Sequence, residues 1–201
     1  MIKLGVLLSG SGTNLQAIID AIKAGELDAQ VVQVISSRPD AYGLRRACMA
    51  GIPSTSLSNG MYANPLAADE LITQKMLGAE ADYIVMAGYM RMVGAPILTA
   101  FKDRVINIHP SLLPSFPGAH GIQDAFNAGV KVTGVTIHFA NEVYDQGPII
   151  AQQSLEIHEG ESLESLEERI HAIEHRIYPA TLQLIAEGRV RIMEDRKVSV
   201  T

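Results

Sequence analysis

Four short runs of almost unbroken apolar residues, at 2–8, 31–36, 82–88 and 104–109, constrain this chain more than anything else in it. Runs of this length without polar alternation belong to strands buried on both faces. Helical spacing separates them. After the first run, Leu15, Ile18, Ile19 and Ile22 recur at i, i+3, i+4 and i+7, and Gly25 ends that pattern. Further helices are predicted over roughly 41–50, 66–78 and 96–101, with a short strand near 54–57 and a polar turn region at 58–65. Strand and helix in alternation imply parallel strands joined by right-handed crossovers.

Past residue 129 the pattern changes. Residues 131–140 alternate, and 148–157 follow with no room for a helix between, so the two form an antiparallel pair. A short helix is expected near 121–128. Leu163, Leu166, Ile170, Ile173 and Ile177 then mark a long helix, which Pro179 should kink or restart. The tail, "RVRIMEDRKVSV", reads as a small hairpin. The fold class is α/β: a Rossmann-like, mostly parallel twisted sheet with helices on both faces and an antiparallel C-terminal strand pair. No repeat or linker divides the chain, so residues 1–201 are expected to form a single domain.

Composition excludes several functions. Hydrophobic residues make up 47%, enough for a large core. A net charge of -6 disfavours a nucleic-acid partner, which needs clustered Lys and Arg. No stretch approaches the ~20 apolar residues a membrane span requires, and the N-terminus lacks a signal-peptide pattern. One cysteine, Cys48, rules out an intrachain disulfide and is expected to be an ordinary packed thiol on a helix. A reducing cytoplasm fits these features.

Gly10-Ser11-Gly12-Thr13-Asn14 joins the first strand to the first helix. Glycines permit a tight turn, and a helix N-terminus attracts an anion. The dinucleotide fingerprint fails, because Leu15 stands at the third glycine and no acidic residue follows the second strand. A phosphate cradle without a nucleotide signature remains, beside the alternative of a plain turn capped by Thr13 or Asn14.

The fifth strand ends in Asn107-Ile108-His109 and runs into the Pro-rich loop "PSLLPSFPG". Asn107 and His109, two apart, face the same side. Asp145, at the loop before the last sheet strand, could sustain charge on His109 and keep an acid poised near neutral pH. An amide, a cationic imidazole and a carboxylate suit a tetrahedral intermediate with an oxyanion. No Ser or Cys is placed as nucleophile, which points to direct transfer between two bound substrates. Spacing alone leaves open that the three merely finish a strand and a turn. The run 111–118 reads as a cover over the site.

"HAIEH" (171–175) matches the inverted zinc-protease pattern, but the third-ligand candidates, Glu187 and Glu194, fall at the helix end and in the tail, so no metal is expected. Glu174 presented to a hydroxyl-rich ligand is preferred, with a solvated helix face as the alternative. His120, His138 and His158 carry no spacing signal, and His138 is taken as a strand-face residue.

Taken together, "LLSGSGTNLQAIIDA", "AGYMRMV", "INIHPSLLPSFPG", "GVTIHF", "DQGPII" and "EHRIYP" resemble the folate-dependent formyltransferase family, in its phosphoribosylglycinamide formyltransferase (glycinamide ribonucleotide transformylase) branch. The resemblance covers essentially the whole chain. It implies transfer of the formyl group of 10-formyltetrahydrofolate, the co-substrate, to the amine of glycinamide ribonucleotide in purine biosynthesis. It implies a catalytic set of Asn107, His109 and Asp145. Gly12, Thr13, Asn14 and Glu174 would hold the ribonucleotide. Met90, Arg91, Met92 and Val93 would line the folate cleft on one side, and Asn141, Glu142, Val143, Tyr144 and Asp145 on the other, with Asn107 between. The partners implied are small molecules, with the chain a monomer or homodimer. One departure stands out: the arginine that family members carry before the helix at 66–78 is absent, since 58–69 contain no Lys or Arg, and Asn64 is the nearest match.

Overall fold

The computed structural model describes residues 1–201, apart from the side chains of Asn59 and Tyr62. Its first half runs β1 (Ile2–Leu8), α1 (Thr13–Ala24), β2 (Ala29–Ser36), α2 (Tyr42–Met49), β3 (Ser54–Ser56), α3 (Asn59–Ala63), α4 (Pro65–Gly78), β4 (Tyr83–Met86) and α5 (Ala95–Ala100). The second half adds β5 (Val105–His109), α6 (Gly121–Asn127), β6 (Val132–Phe139), β7 (Ile149–Glu156), α7 (Leu163–Ala186), β8 (Val190–Ile192) and β9 (Val198–Val200). Seven strands form one sheet in the order β3-β2-β1-β4-β5-β6-β7, and β8 pairs with β9 as a separate hairpin. Strands β1 to β5 are parallel. Strand β6 is antiparallel to both β5 and β7. The order reverses between β1 and β4, the place where open α/β sheets leave a crevice at their carboxyl ends.

Two apolar layers sandwich the sheet, and the strand period of two assigns residues to them. Leu4, Val6 and Leu8 of β1 pack with α1 and α7, through Leu15, Ile18, Leu166 and Ile170. Leu7 faces the other way, onto Ile72, Met76, Ile97 and Phe101 of α4 and α5. In β5, Ile106 and Ile108 join the first layer and Val105 the second. Asn107 and His109 therefore fall on the second face, at the strand's carboxyl end.

Tyr178 locks α7 to this frame. Its side chain is fully buried, and its hydroxyl lies 3.0 Å from the Met86 carbonyl and 3.1 Å from that of Ile106. Met86 and Asn107 are the last paired residues of β4 and β5. The hydroxyl serves carbonyls at the point where the ladder opens.

Three expectations change. The polar segment 58–65 is not all turn: Ser58 accepts the Met61 N–H and starts α3. Helix α7 does not restart at Pro179; it runs as one element through it. Cys48 lies in α2 as expected but is exposed rather than packed. Helix α2 buries Gly43 and Ala47, one turn apart, which turns Cys48 about 100° away from that face.

Candidate active site

The carboxyl ends of β1, β4 and β5 open into a cavity of about 610 Å³. Gly12, Thr13 and Asn14 line it from one side, Asn107 and His109 from the floor, and Glu174 from α7. Gly12 adopts φ 70° and ψ 30° at the start of α1, and no side chain caps the helix there. The start of α1 thus has no side-chain cap, and its first-turn N–H groups keep their capacity for an acceptor. A Cβ on Gly12 would stand 2.6 Å from the Gly43 Cα, so this position requires glycine twice over. Asn14 and Glu174 meet across the cavity's edge, Nδ2 to Oε2, at 3.1 Å. Glu174 is buried rather than on a solvated face, and burial raises its pKa against the opposing pull of Asn14. The Asn14 Oδ1 is buried without a hydrogen-bond partner among the described residues.

The three proposed catalytic side chains do come together. Asp145 Oδ2 lies 3.5 Å from His109 Nδ1, and Asp145 Oδ1 lies 3.5 Å from Asn107 Nδ2. Asp145 holds a left-handed backbone, φ 54°, a conformation Asp tolerates better than most residues. A fourth residue joins them. His138 stands opposite Asn107 in the β5–β6 register. Its Nδ1 is 3.0 Å from the Phe139 carbonyl, which can only accept, so Nδ1 carries a proton. In the neutral ring Nε2 is then the acceptor for Asn107 Nδ2, at 3.2 Å. The same Nε2 lies 3.6 Å from Asp145 Oδ1.

The loop after β5 closes over this group. Thr136 Oγ1 donates to the Ser111 carbonyl at 2.7 Å and accepts the Leu113 N–H at 3.0 Å. Gln152 donates to the Leu113 carbonyl at 2.9 Å. The loop's main chain then occupies the catalytic groups themselves. The Phe116 carbonyl takes the His109 Nε2 proton at 2.8 Å, and the Gly118 N–H donates to Asp145 Oδ2 at 2.8 Å.

Electrostatics differ from the expectation for His109. Burial lowers its pKa below 6.5, and Asp145 and the Phe116 carbonyl only partly oppose that. The imidazole is therefore not poised as an acid in this arrangement, because desolvation outweighs its carboxylate neighbour. Burial would raise Asp145, but His138, the Gly118 N–H and His109 together hold it below 3.8.

The expected folate residues divide. Met92, Val93, Asn141, Val143 and Tyr144 line a narrow cleft with Asn107, His138 and Asp145. Met90 faces the larger cavity instead, and Arg91 and Glu142 line neither. Asn64 accepts the Ala67 N–H at 3.2 Å as the cap of α4, a structural use of the residue nearest to the missing arginine. A further cavity, about 860 Å³, is a groove between α1 and α7 that contains none of Asn107, His109 and Asp145.

Known proteins carry similar sequences. Residues 2–182 match the family described as formyl transferase. Phosphoribosylglycinamide formyltransferase of Bacillus subtilis is 42% identical over 183 residues, 91% of this chain and 94% of that protein. The human trifunctional purine biosynthetic protein adenosine-3 is 39% identical over 98% of this chain, which spans only 19% of that longer protein. Among solved structures, glycinamide ribonucleotide transformylase 1 from Symbiobacterium toebii superposes with a TM-score of 0.96 at 47% identity, covering 100% of this chain and 94% of that one. The chain belongs to the formyl transferase family.

Proposed function

We propose that this chain transfers the formyl group of 10-formyltetrahydrofolate to the primary amine of glycinamide ribonucleotide, with residues 1–201 acting as one unit. The observation that carries the reading is the cavity in which an uncapped glycine loop, buried Glu174, Asn107 and His109 meet, with Asp145 in contact with the last two. The first-turn N–H groups suit the ribose phosphate, and the Glu174 carboxylate suits its hydroxyls. The narrow cleft walled by Met92 and Tyr144, beside Asn107 and Asp145, marks the side on which the folate would lie.

The chemistry needs no covalent enzyme intermediate. The amine attacks the formyl carbon and a C–N bond forms. The carbonyl oxygen becomes an oxyanion, which Asn107 and His109 stabilise as donors, its charge drawing His109 towards the imidazolium that burial disfavours at rest. Asp145 sustains the imidazolium and, through water, moves a proton from the former amine to the folate nitrogen as its bond to carbon breaks. At rest, the Phe116 carbonyl holds the His109 donor, and His138 and Asp145 hold that of Asn107. Substrate must take over both. An assay with both substrates should yield formylated ribonucleotide and tetrahydrofolate in equal amounts. Formate in place of that product, or no turnover, overturns the reading.

A further inference from the structure

Asp69 is a carboxylate within an apolar layer. It lies in α4 beside Ala68 and Ile72, only 4% exposed. A buried carboxylate is unfavourable unless hydrogen bonds compensate it. Its Oδ2 accepts the main-chain N–H of Gly94 at 2.6 Å, while Oδ1 is buried without a hydrogen-bond partner among the described residues. A Cβ on Gly94 would stand 2.6 Å from that same Oδ2, so a larger residue there would push the carboxylate off the N–H. Burial raises the Asp69 pKa, against the Gly94 N–H and the Arg91 charge.

Gly94 ends the strap 90–94, whose Met92 and Val93 wall the narrow cleft opposite Tyr144. The strap's other end is held in the same manner: the Met90 N–H donates to Ser9 Oγ at 2.9 Å. Ser9 Oγ in turn accepts from Ser37 at 2.7 Å. Both ends of the wall are thus pinned by side chains from other elements, Ser9 beside the glycine loop and Asp69 beneath the folate side.

We propose that Asp69 is a positioning residue for the folate cleft: its carboxylate pins Gly94 and thereby sets the place of Met92 and Val93 in the cleft wall. This rests on the function proposed above. Asp69 touches no reacting atom, so its removal loosens one substrate's site and spares the other.

Asp69→Ala is expected to raise KM for 10-formyltetrahydrofolate by about tenfold and leave KM for the ribonucleotide within about twofold. Asp69→Asn keeps an acceptor oxygen of the same shape and should restore most of the loss. Equal changes in both KM values, or none, overturn the proposal. Should Asp69→Ala fail to fold, amide exchange on the wild-type protein reads the contact directly. The Gly94 N–H should exchange at least about 100-fold more slowly than exposed amides; rapid exchange overturns the pinning. That measurement needs no turnover, so it stands apart from any failure of the proposed function.

Discussion

Tyr178→Phe removes a single oxygen atom from the interior and preserves the shape of the ring. The wild-type hydroxyl sits 3.0 Å and 3.1 Å from two main-chain carbonyls, on strands that have just parted. Its one proton serves both. Phenylalanine leaves Met86 and Ile106 carbonyls buried with that donor gone, and no water can enter a fully buried site without disturbing its packing. A lost hydrogen bond that strands a buried acceptor costs about 1–3 kcal/mol. In a chain of this size each kcal/mol moves Tm by about 2–4 °C, so a fall of roughly 2–12 °C is expected. Urea titration should show a lower midpoint with an unchanged slope, since the surface exposed on unfolding is the same. Burial, aided by the Glu174 charge, drives the phenol pKa well above 10, so the hydroxyl stays a donor and the loss should be flat between about pH 6 and 9. A loss under about 0.5 kcal/mol would refute the reasoning, because it would mean the carbonyls are satisfied in another way.

Three further outcomes are expected. His109→Ala and Asp145→Ala should each lower kcat by about 10²–10⁴ while a phosphate-bearing ligand still binds, and an unchanged kcat would remove that residue from the mechanism. Proton NMR should place the His109 pKa below 6.5, and Asp145→Asn should lower it again, since that carboxylate raises it; an upward move in the variant contradicts the assignment. Because the folded value lies below the unfolded one, His109 stabilises the fold fully above pH 6.5, and this is lost as pH falls through the folded value. Glu161, bonded to Arg169 and to the His158 N–H, has its pKa held down to about 2 from 4.5. Its contribution is present above pH 4.5 and disappears as pH falls towards 2, so Glu161→Gln should match the wild type near pH 2 and be less stable above 4.5. A gap that persists unchanged at pH 2 would contradict this.

The strands were legible because burial on both faces leaves continuous apolar runs, and α1 because its stripe keeps one period from Leu15 to Ile22. Asn107 and His109 were legible as polar residues ending such a run. His138 was not, because its role arises from the antiparallel register that sets it opposite Asn107, and register is a long-range property. The only local hint was a histidine inside a strand whose neighbours are all buried. Asp69 was hidden for the opposite reason: an acidic residue near the start of a helix ordinarily reads as a dipole partner in solvent. The pull of burial on His109 was not legible, because sequence shows which groups lie nearby but not how much water they lose. Cys48 and the Ser58 cap depended on single residues at element edges, where pattern carries least information.

The pairing of Gly12 with Gly43 has a consequence for how this site would respond to change. The Gly43 N–H donates to the Gly10 carbonyl at 3.1 Å, and Arg46, one turn further along α2, donates to the Ser11 carbonyl at 2.9 Å. The glycine loop is thus shaped by α2, independently of the anion proposed to bind it. The entropy of ordering it is lost during folding, so binding need not lose it again. Substitutions on α2 that let the helix drift would weaken ligand capture without touching a ligand, and would do so in proportion to the disorder they restore to the loop. Under the proposed function, affinity for the ribonucleotide phosphate is in part a property of α2.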